Sequence, residues 1–148
     1  MTLQERLSQE IKAAMLARDA DRLSTLRLLK SALGYLLIER KAETLSDTDV
    51  IAMVQKEVKK RRDSVEQYEK GGRPELAARE KQEITVLEAF LPQAMTAVEL
   101  EELVKSAIQE AGATSKKQMG VVIKLAQAKA AGRAEGKTIS ELVGRLLP

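Results

Sequence analysis

The residues of this chain best suited to chemistry are the lysines and arginines gathered towards its C-terminal end. Between Ala111 and Pro148, seven basic residues (Lys116, Lys117, Lys124, Lys129, Arg133, Lys137 and Arg145) stand against two acids, Glu135 and Glu141, a local charge of +5. The preceding stretch, Ala94 to Glu110, carries one lysine against four glutamates, a local charge of −3. So sharp a boundary marks a surface suited to a polyanion. Gly132 and Gly136 sit among these cations, where the backbone can approach a phosphate closely, and N–H groups at a helix start attract the same group. Lys116, Lys117, Lys124, Lys129, Arg133 and Lys137, with Gly132 and Gly136, are therefore the candidate RNA-binding residues. No aromatic side chain is interleaved with them, so recognition would rest on phosphates and shape, as suits a folded RNA, and not on base stacking.

A second basic cluster lies earlier, in Lys56-Glu57-Val58-Lys59-Lys60-Arg61-Arg62. Lys59, Lys60, Arg61, Arg62 and the more distant Arg73 form a secondary candidate patch. On a helix these side chains spread around the circumference, so they could instead pair with Asp63, Glu66 and Glu69 one turn on. Residues Met1 to Gln93 hold 17 basic against 16 acidic residues, a near balance. Two carboxylate pairs, Glu66/Glu69 and Glu80/Glu83, share helix faces at i, i+3 and invite a cation-site or acid–base reading. Their interleaving with Lys70, Arg79 and Lys81 argues for a solvated, ion-paired face. The chain has no His and no Cys. That removes the commonest general base and metal ligand, thiolate nucleophiles and disulfides. The sequence offers no catalytic residue, metal site or cofactor motif, and shows no phosphate loop, G-x-S-x-G elbow or H-E-x-x-H.

Helices must position these residues. Ala, Leu, Glu, Lys, Arg and Gln dominate, only three aromatics occur (Tyr35, Tyr68, Phe90), and β-alternation is nowhere convincing. Helix 1 is expected over about Thr2 to Arg18, with Leu3, Leu7, Ile11 and Met15 inward. Helix 2 follows Asp19 and Asp21 and runs to about Lys41, with Leu23, Leu26, Leu29, Leu33 and Leu36/Leu37 inward. Ser46-Asp47-Thr48-Asp49 opens helix 3, whose stripe is Val50/Ile51, Val54, Val58, Val65 and Tyr68. Gly71-Gly72 ends it, Pro74 starts helix 4, and Pro92 stops that helix after Leu91. Three short helices follow, each announced by a capping box: Thr96…Glu99, Ser115…Gln118 and Thr138…Glu141. The expected architecture is all-α: a four-helix domain over residues 1–93 and a three-helix tail over 94–148.

The N-terminus carries charge where a signal peptide needs an apolar run, and the longest apolar stretch, Leu26 to Ile38, is interrupted by Arg27 and Lys30. The expectation is a cytoplasmic protein with no membrane segment.

Two blocks of sequence carry a resemblance. The first comprises Lys59-Lys60-Arg61-Arg62-Asp63-Ser64, Tyr68…Gly71-Gly72-Arg73 and Leu76-Ala77…Glu80…Glu83-Ile84…Leu87…Phe90-Leu91-Pro92. The second comprises Met119-Gly120 and Gly132-Arg133-Ala134-Glu135-Gly136-Lys137…Glu141-Leu142-Val143. In order and over essentially the full chain, these blocks resemble the YqeY family. That family is similar to the C-terminal helical region of the GatB subunit of the tRNA-dependent amidotransferase. The resemblance implies two all-α domains and a tail that contacts tRNA, with Lys124, Lys129, Arg133 and Lys137 at the matching basic positions. Glu135 stands where the family motif usually has Asp, and the Met-Pro pair often found earlier is replaced near Gln127 and Ala128. The amidotransferase's catalytic sites lie outside the matching region, so no catalytic residue carries over.

The leading expectation is a helical protein, non-catalytic by itself, that binds tRNA or a tRNA-bearing complex through its basic C-terminal bundle. An accessory role in carbon–nitrogen ligation, with glutamine as amido-nitrogen donor to mischarged tRNA, is one alternative. A protein-interaction module is another, because helix 2 is rich enough in leucine to show an apolar stripe to a protein partner.

Overall fold

The computed structural model describes all residues from Met1 to Pro148 and is entirely helical. It has seven α-helices: α1 (Leu3–Leu16), α2 (Ala20–Arg40), α3 (Asp47–Lys70), α4 (Pro74–Glu88), α5 (Ala97–Ala111), α6 (Met119–Ala130) and α7 (Gly136–Leu146). A 3₁₀ turn, Lys116–Gln118, leads into α6. The chain divides into two compact units, Met1–Leu91 and Pro92–Pro148.

In the first unit, α1 begins with a reciprocal capping box. The Thr2 hydroxyl accepts the Glu5 N–H at 3.1 Å, and the Glu5 carboxylate accepts the Thr2 N–H at 3.2 Å. Leu7, Ile11 and Ala14 are buried, whereas Met15 is 52% exposed. Three steps of four residues overrun a 3.6-residue turn, so the inward position after Ile11 is Ala14 and not the expected Met15. Asp19 caps α2 by accepting the Arg22 N–H, and Lys41 ends that helix in the left-handed region. Leu26, Leu29 and Leu33 form its buried face.

Ser46 caps α3, and Val50, Val54 and Val58 continue the core. Val65 and Tyr68, expected to extend that stripe, are only half-buried. Gly71 and Gly72 turn the chain, with Gly72 at φ +71°, and Pro74 enters α4 at its first turn. α3 and α4 thus pack as a hairpin, closed over a core that includes Ile84, Leu87 and Phe90. α4 ends at Glu88, three residues earlier than expected. Arg6 closes over this end, its guanidinium donating to the Ala89 carbonyl at 2.7 Å and lying 4.9 Å from the centre of the Phe90 ring.

In the second unit, α5, α6 and α7 pack on one another. The core is Leu100, Val104, Ala107, Ala113, Val122, Ala126, Ala130, Ile139, Leu142, Val143 and Leu147, with no aromatic residue. Thr96 caps α5 through the Glu99 N–H at 3.1 Å, and Gly112 ends it at φ +63°. Of the Ser115…Gln118 signal, the Gln118 side-chain oxygen Oε1 accepts the Thr114 N–H at 2.7 Å and the Ser115 N–H at 3.4 Å. The result is a 3₁₀ turn that precedes α6. The expected start of α7 at Thr138 is too late: Glu135 is the extended N-cap residue and Gly136 the first helical one. A Cβ on Gly136 would lie 3.1 Å from the Gln127 side chain, so glycine permits this close approach of α7 to α6.

Candidate nucleic-acid interface

The structure divides the seven basic residues from Ala111 onward into two groups. Arg133 and Lys129 are engaged within the unit. The Arg133 guanidinium donates to the Gln93 carbonyl at 2.9 Å and to the Glu99 carboxylate at 3.0 Å. Its own carbonyl accepts the Met95 N–H at 2.9 Å. Arg133 therefore ties the segment leading into α5 to the turn between α6 and α7. That turn needs the tie, because Ala131 and Gly132 both adopt left-handed backbone, at φ +48° and +86°. Lys129, at the end of α6, pairs with Glu110 at 2.6 Å.

The second group is exposed and forms no ion pair: Lys116, Lys117, Lys124, Lys137 and Arg145. Lys117 and Lys124 are seven residues apart and share a face of the segment running into α6. Lys137 is the second residue of α7, and Lys116 and Lys117 immediately precede α6. Gly132 and Gly136 flank the α6–α7 turn, the first in a left-handed turn conformation and the second against α6.

The placement of the lysines is informative because it runs against helix electrostatics. A helix start carries about half a positive charge, so acids there are stabilising and cations are not. Each of α1 to α5 obeys this rule with an acid in its first turn: Glu5, Asp21, Asp47 with Asp49, Glu75 and Glu99. α6 and α7 have none there. Glu135 precedes α7 as its N-cap residue but makes no side-chain cap bond. The starts of α6 and α7 thus combine backbone partial charge with exposed ammonium groups, an arrangement that attracts phosphate.

The first-unit patch is different. Lys59, Lys60 and Arg73 are exposed. Arg61 is not a surface cation: it is 8% exposed, with Nε 3.0 Å from Glu83 and Nη1 3.2 Å from Glu57. It also donates to the Glu57 carbonyl at 3.1 Å. Three turns of α3 beyond Val50, the same inward stripe reaches Arg61, and two carboxylates satisfy its charge. Arg62 reaches Glu88 at 3.6 Å. As a phosphate-binding group, the patch loses Arg61 to the core.

The carboxylate pairs separate likewise. Glu66 pairs with Lys70 and Glu69 with Lys81, as surface ion pairs do. Burial, and then the neighbouring Glu83, push the Glu80 carboxyl above its ordinary range. A polar recess of about 270 Å³ beside Glu83 is lined by Asp21, Arg22 and Arg79 as well, so its charges balance. No group of Asp and Glu is placed to hold a metal ion. No helix is long and apolar enough to cross a membrane.

The family model described as "Yqey-like protein" matches residues 4–147. The chain belongs to the YqeY family. Relatives of this YqeY chain include an uncharacterized protein of Schizosaccharomyces pombe, 34% identical over 62% of this chain and 73% of that protein. Altered inheritance of mitochondria protein 41, mitochondrial, of Lachancea thermotolerans is 32% identical over 64% of this chain and 51% of that protein. The protein of the same name in Pyrenophora tritici-repentis is 28% identical over 94% of this chain and 80% of that one. The YqeY chain thus spans about half of the Lachancea protein and more of the other two. These names correct the expected cytoplasmic location. Four relatives are named as mitochondrial proteins. A charged N-terminal hexapeptide, the ground for the expectation, does not determine a compartment.

Proposed function

We propose that this YqeY protein is an RNA-binding helical protein, non-catalytic by itself, that engages phosphates through Lys116, Lys117, Lys124 and Lys137, with Arg145 alongside. The observation that carries this reading is the replacement of first-turn acids by unpaired lysines at the starts of α6 and α7, in a chain whose other five helices follow the opposite rule. A cation placed at a helix start costs the fold a few tenths of a kcal/mol, up to about 1. An external anion offsets that cost. Folded RNA fits best among polyanions, because a unit without aromatic residues grips phosphate and shape and does not stack bases. The choice of tRNA within that class follows the family resemblance.

The test is a salt series of tRNA binding, followed by anisotropy of fluorescein-labelled tRNA, for the wild type and a Lys116→Ala, Lys117→Ala, Lys124→Ala, Lys137→Ala variant. Each phosphate contact contributes roughly 0.7 to 0.9 to the log–log salt slope, so losing four should lower it by about 3. These side chains are exposed and unpaired, so the melting temperature should hold. An unchanged slope refutes the proposal.

A further inference from the structure

α2 is rich in leucine, and only part of its apolar surface is buried. Its inward face is Thr25, Leu26, Leu29 and Leu33. On the outward face, Ser24, Leu28, Ser31, Tyr35 and Ile38 follow the i, i+4, i+7, i+11, i+14 spacing of a heptad seam. Leu28 is 49% exposed, Tyr35 76% and Ile38 75%. From Ser24 to Ile38 the stripe is about 21 Å long, at 1.5 Å per residue. At its N-terminal end, Ala20, Leu23, Ser24, Arg27, Leu28 and Ser31 outline a shallow groove.

Gly34 is a second, independent observation. It lies in the interior of this 21-residue helix, and a Cβ built there meets nothing within 4 Å. Glycine in a helix interior is destabilising relative to alanine, and no packing within this chain requires it. Beside Ser31 and Tyr35, it leaves a notch in the exposed stripe that lets another backbone approach closely.

The charges select the occupant. Arg22 and Arg40 pair within the unit, with Glu10 and Asp49. Arg27, Lys30 and Lys41 pair with nothing. Arg27, Gly34 and Lys41 recur every seven residues along one edge of the stripe, with Lys30 beside them. Asp21 and Glu39 lie on the opposite edge. Antiparallel pairing of two copies about a twofold axis would bring the basic edges together, against electrostatics.

We propose that this face of α2 docks an amphipathic helix of a different protein, whose apolar seam packs over Leu28, Tyr35 and Ile38 and whose carboxylates line the flank facing Arg27, Lys30 and Lys41. The helix-in-groove mode supplies the area, and the charged edge sets partner choice and direction.

The experiment uses the full chain and two labelled, stapled helical peptides with an identical leucine seam. One has glutamate on the flank meeting the basic edge and the other lysine; binding is read by anisotropy. The glutamate peptide should bind at least about tenfold more tightly, and Ile38→Asp should weaken it by about tenfold or more. Gly34→Leu should abolish close docking. Gly34→Ala should weaken docking while raising the melting temperature, which separates loss of the site from loss of the fold. Equal binding of both peptides overturns the proposal. So does binding by neither. A concentration-dependent dimer abolished by Ile38→Asp assigns the face to a second copy and also overturns it. Preferential binding of anionic phospholipid vesicles, lost in the same variant, assigns the face to a lipid surface and overturns the proposal as well.

Discussion

Replacing Arg133 with alanine separates folding from binding in the second unit. The substitution removes a charge-assisted hydrogen bond to the Gln93 carbonyl and an ion pair with Glu99. The first contributes about 1–2 kcal/mol, discounted for partial exposure. The second joins side chains 40% and 47% exposed and contributes roughly 0.2–1 kcal/mol. The bond between the Met95 N–H and the Arg133 carbonyl survives, because it uses only backbone. The expected destabilisation is about 2 kcal/mol, a fall of roughly 8–15 °C in the unfolding midpoint for a unit of this size. Thermal unfolding of the full chain, followed by NMR signals of residues in α5 to α7, measures it. Glu99→Gln should recover all but the ion-pair part. The salt slope of tRNA binding, measured well below the midpoint, should stay at the wild-type value for Arg133→Ala. A variant that melts normally but loses slope as Lys137→Ala does would refute the assignment of Arg133 as an internal tie.

Arg61→Ala leaves Glu57 and Glu83 facing each other without their cation, so urea denaturation should show a loss of about 3–5 kcal/mol; a loss below about 1 kcal/mol would contradict its role as a buried ion. Glu80 titrates above its unfolded value, so the folded state binds its proton more tightly. The resulting stability is complete below the unfolded value of about 4.5 and is lost as pH rises through the folded one. Glu80→Gln should therefore raise stability near neutral pH by roughly 0.5 kcal/mol or less and flatten that dependence, as read from denaturation midpoints across pH. Asp49 has the opposite sign: the hydrogen bond from Arg40 holds its carboxyl low, so its contribution is present above about 3.8 and is lost as pH falls. Arg40→Gln should reduce that acid-side dependence, leaving the part that hydrogen bonds from Ser46 supply, as the same denaturation midpoints would show.

Local signals make most of the helices legible in the sequence. Thr2, Ser46 and Thr96 announce their helices because an N-cap acts within three residues, and Gly112 ends α5 because only a left-handed residue fits there. Thr138 misleads for the same local reason. Its capping pattern is genuine in spacing, but Glu135 supplies the extended N-cap and α7 starts three residues sooner, where Gly136 lies against the Gln127 side chain of α6, a fact of packing that no short motif encodes. Arg61 is half legible: Val50, Val54 and Val58 predict an inward position at residue 61, yet the Lys-Lys-Arg-Arg run hides it. The partner that makes its burial tolerable, Glu83, lies 22 residues away. Arg133 shows the limit more strongly. A sequence can mark it as a cation beside a glycine, but its ties to Gln93 and Glu99 span 40 and 34 residues. The charge anomaly of the tail is visible in the sequence, and the structure divides it between cations holding the bundle together and cations left free.

The aliphatic core of the second unit has a spectroscopic consequence. All three aromatic residues, Tyr35, Tyr68 and Phe90, belong to the first unit. Intrinsic fluorescence and near-ultraviolet dichroism therefore originate in the first unit, and no aromatic chromophore lies within the second. Methyl groups tell the reverse story. Each core side chain from Leu100 to Leu147 carries at least one, so a methyl-labelled sample observes that interior residue by residue, and a single tryptophan introduced there would give an optical signal with no native background.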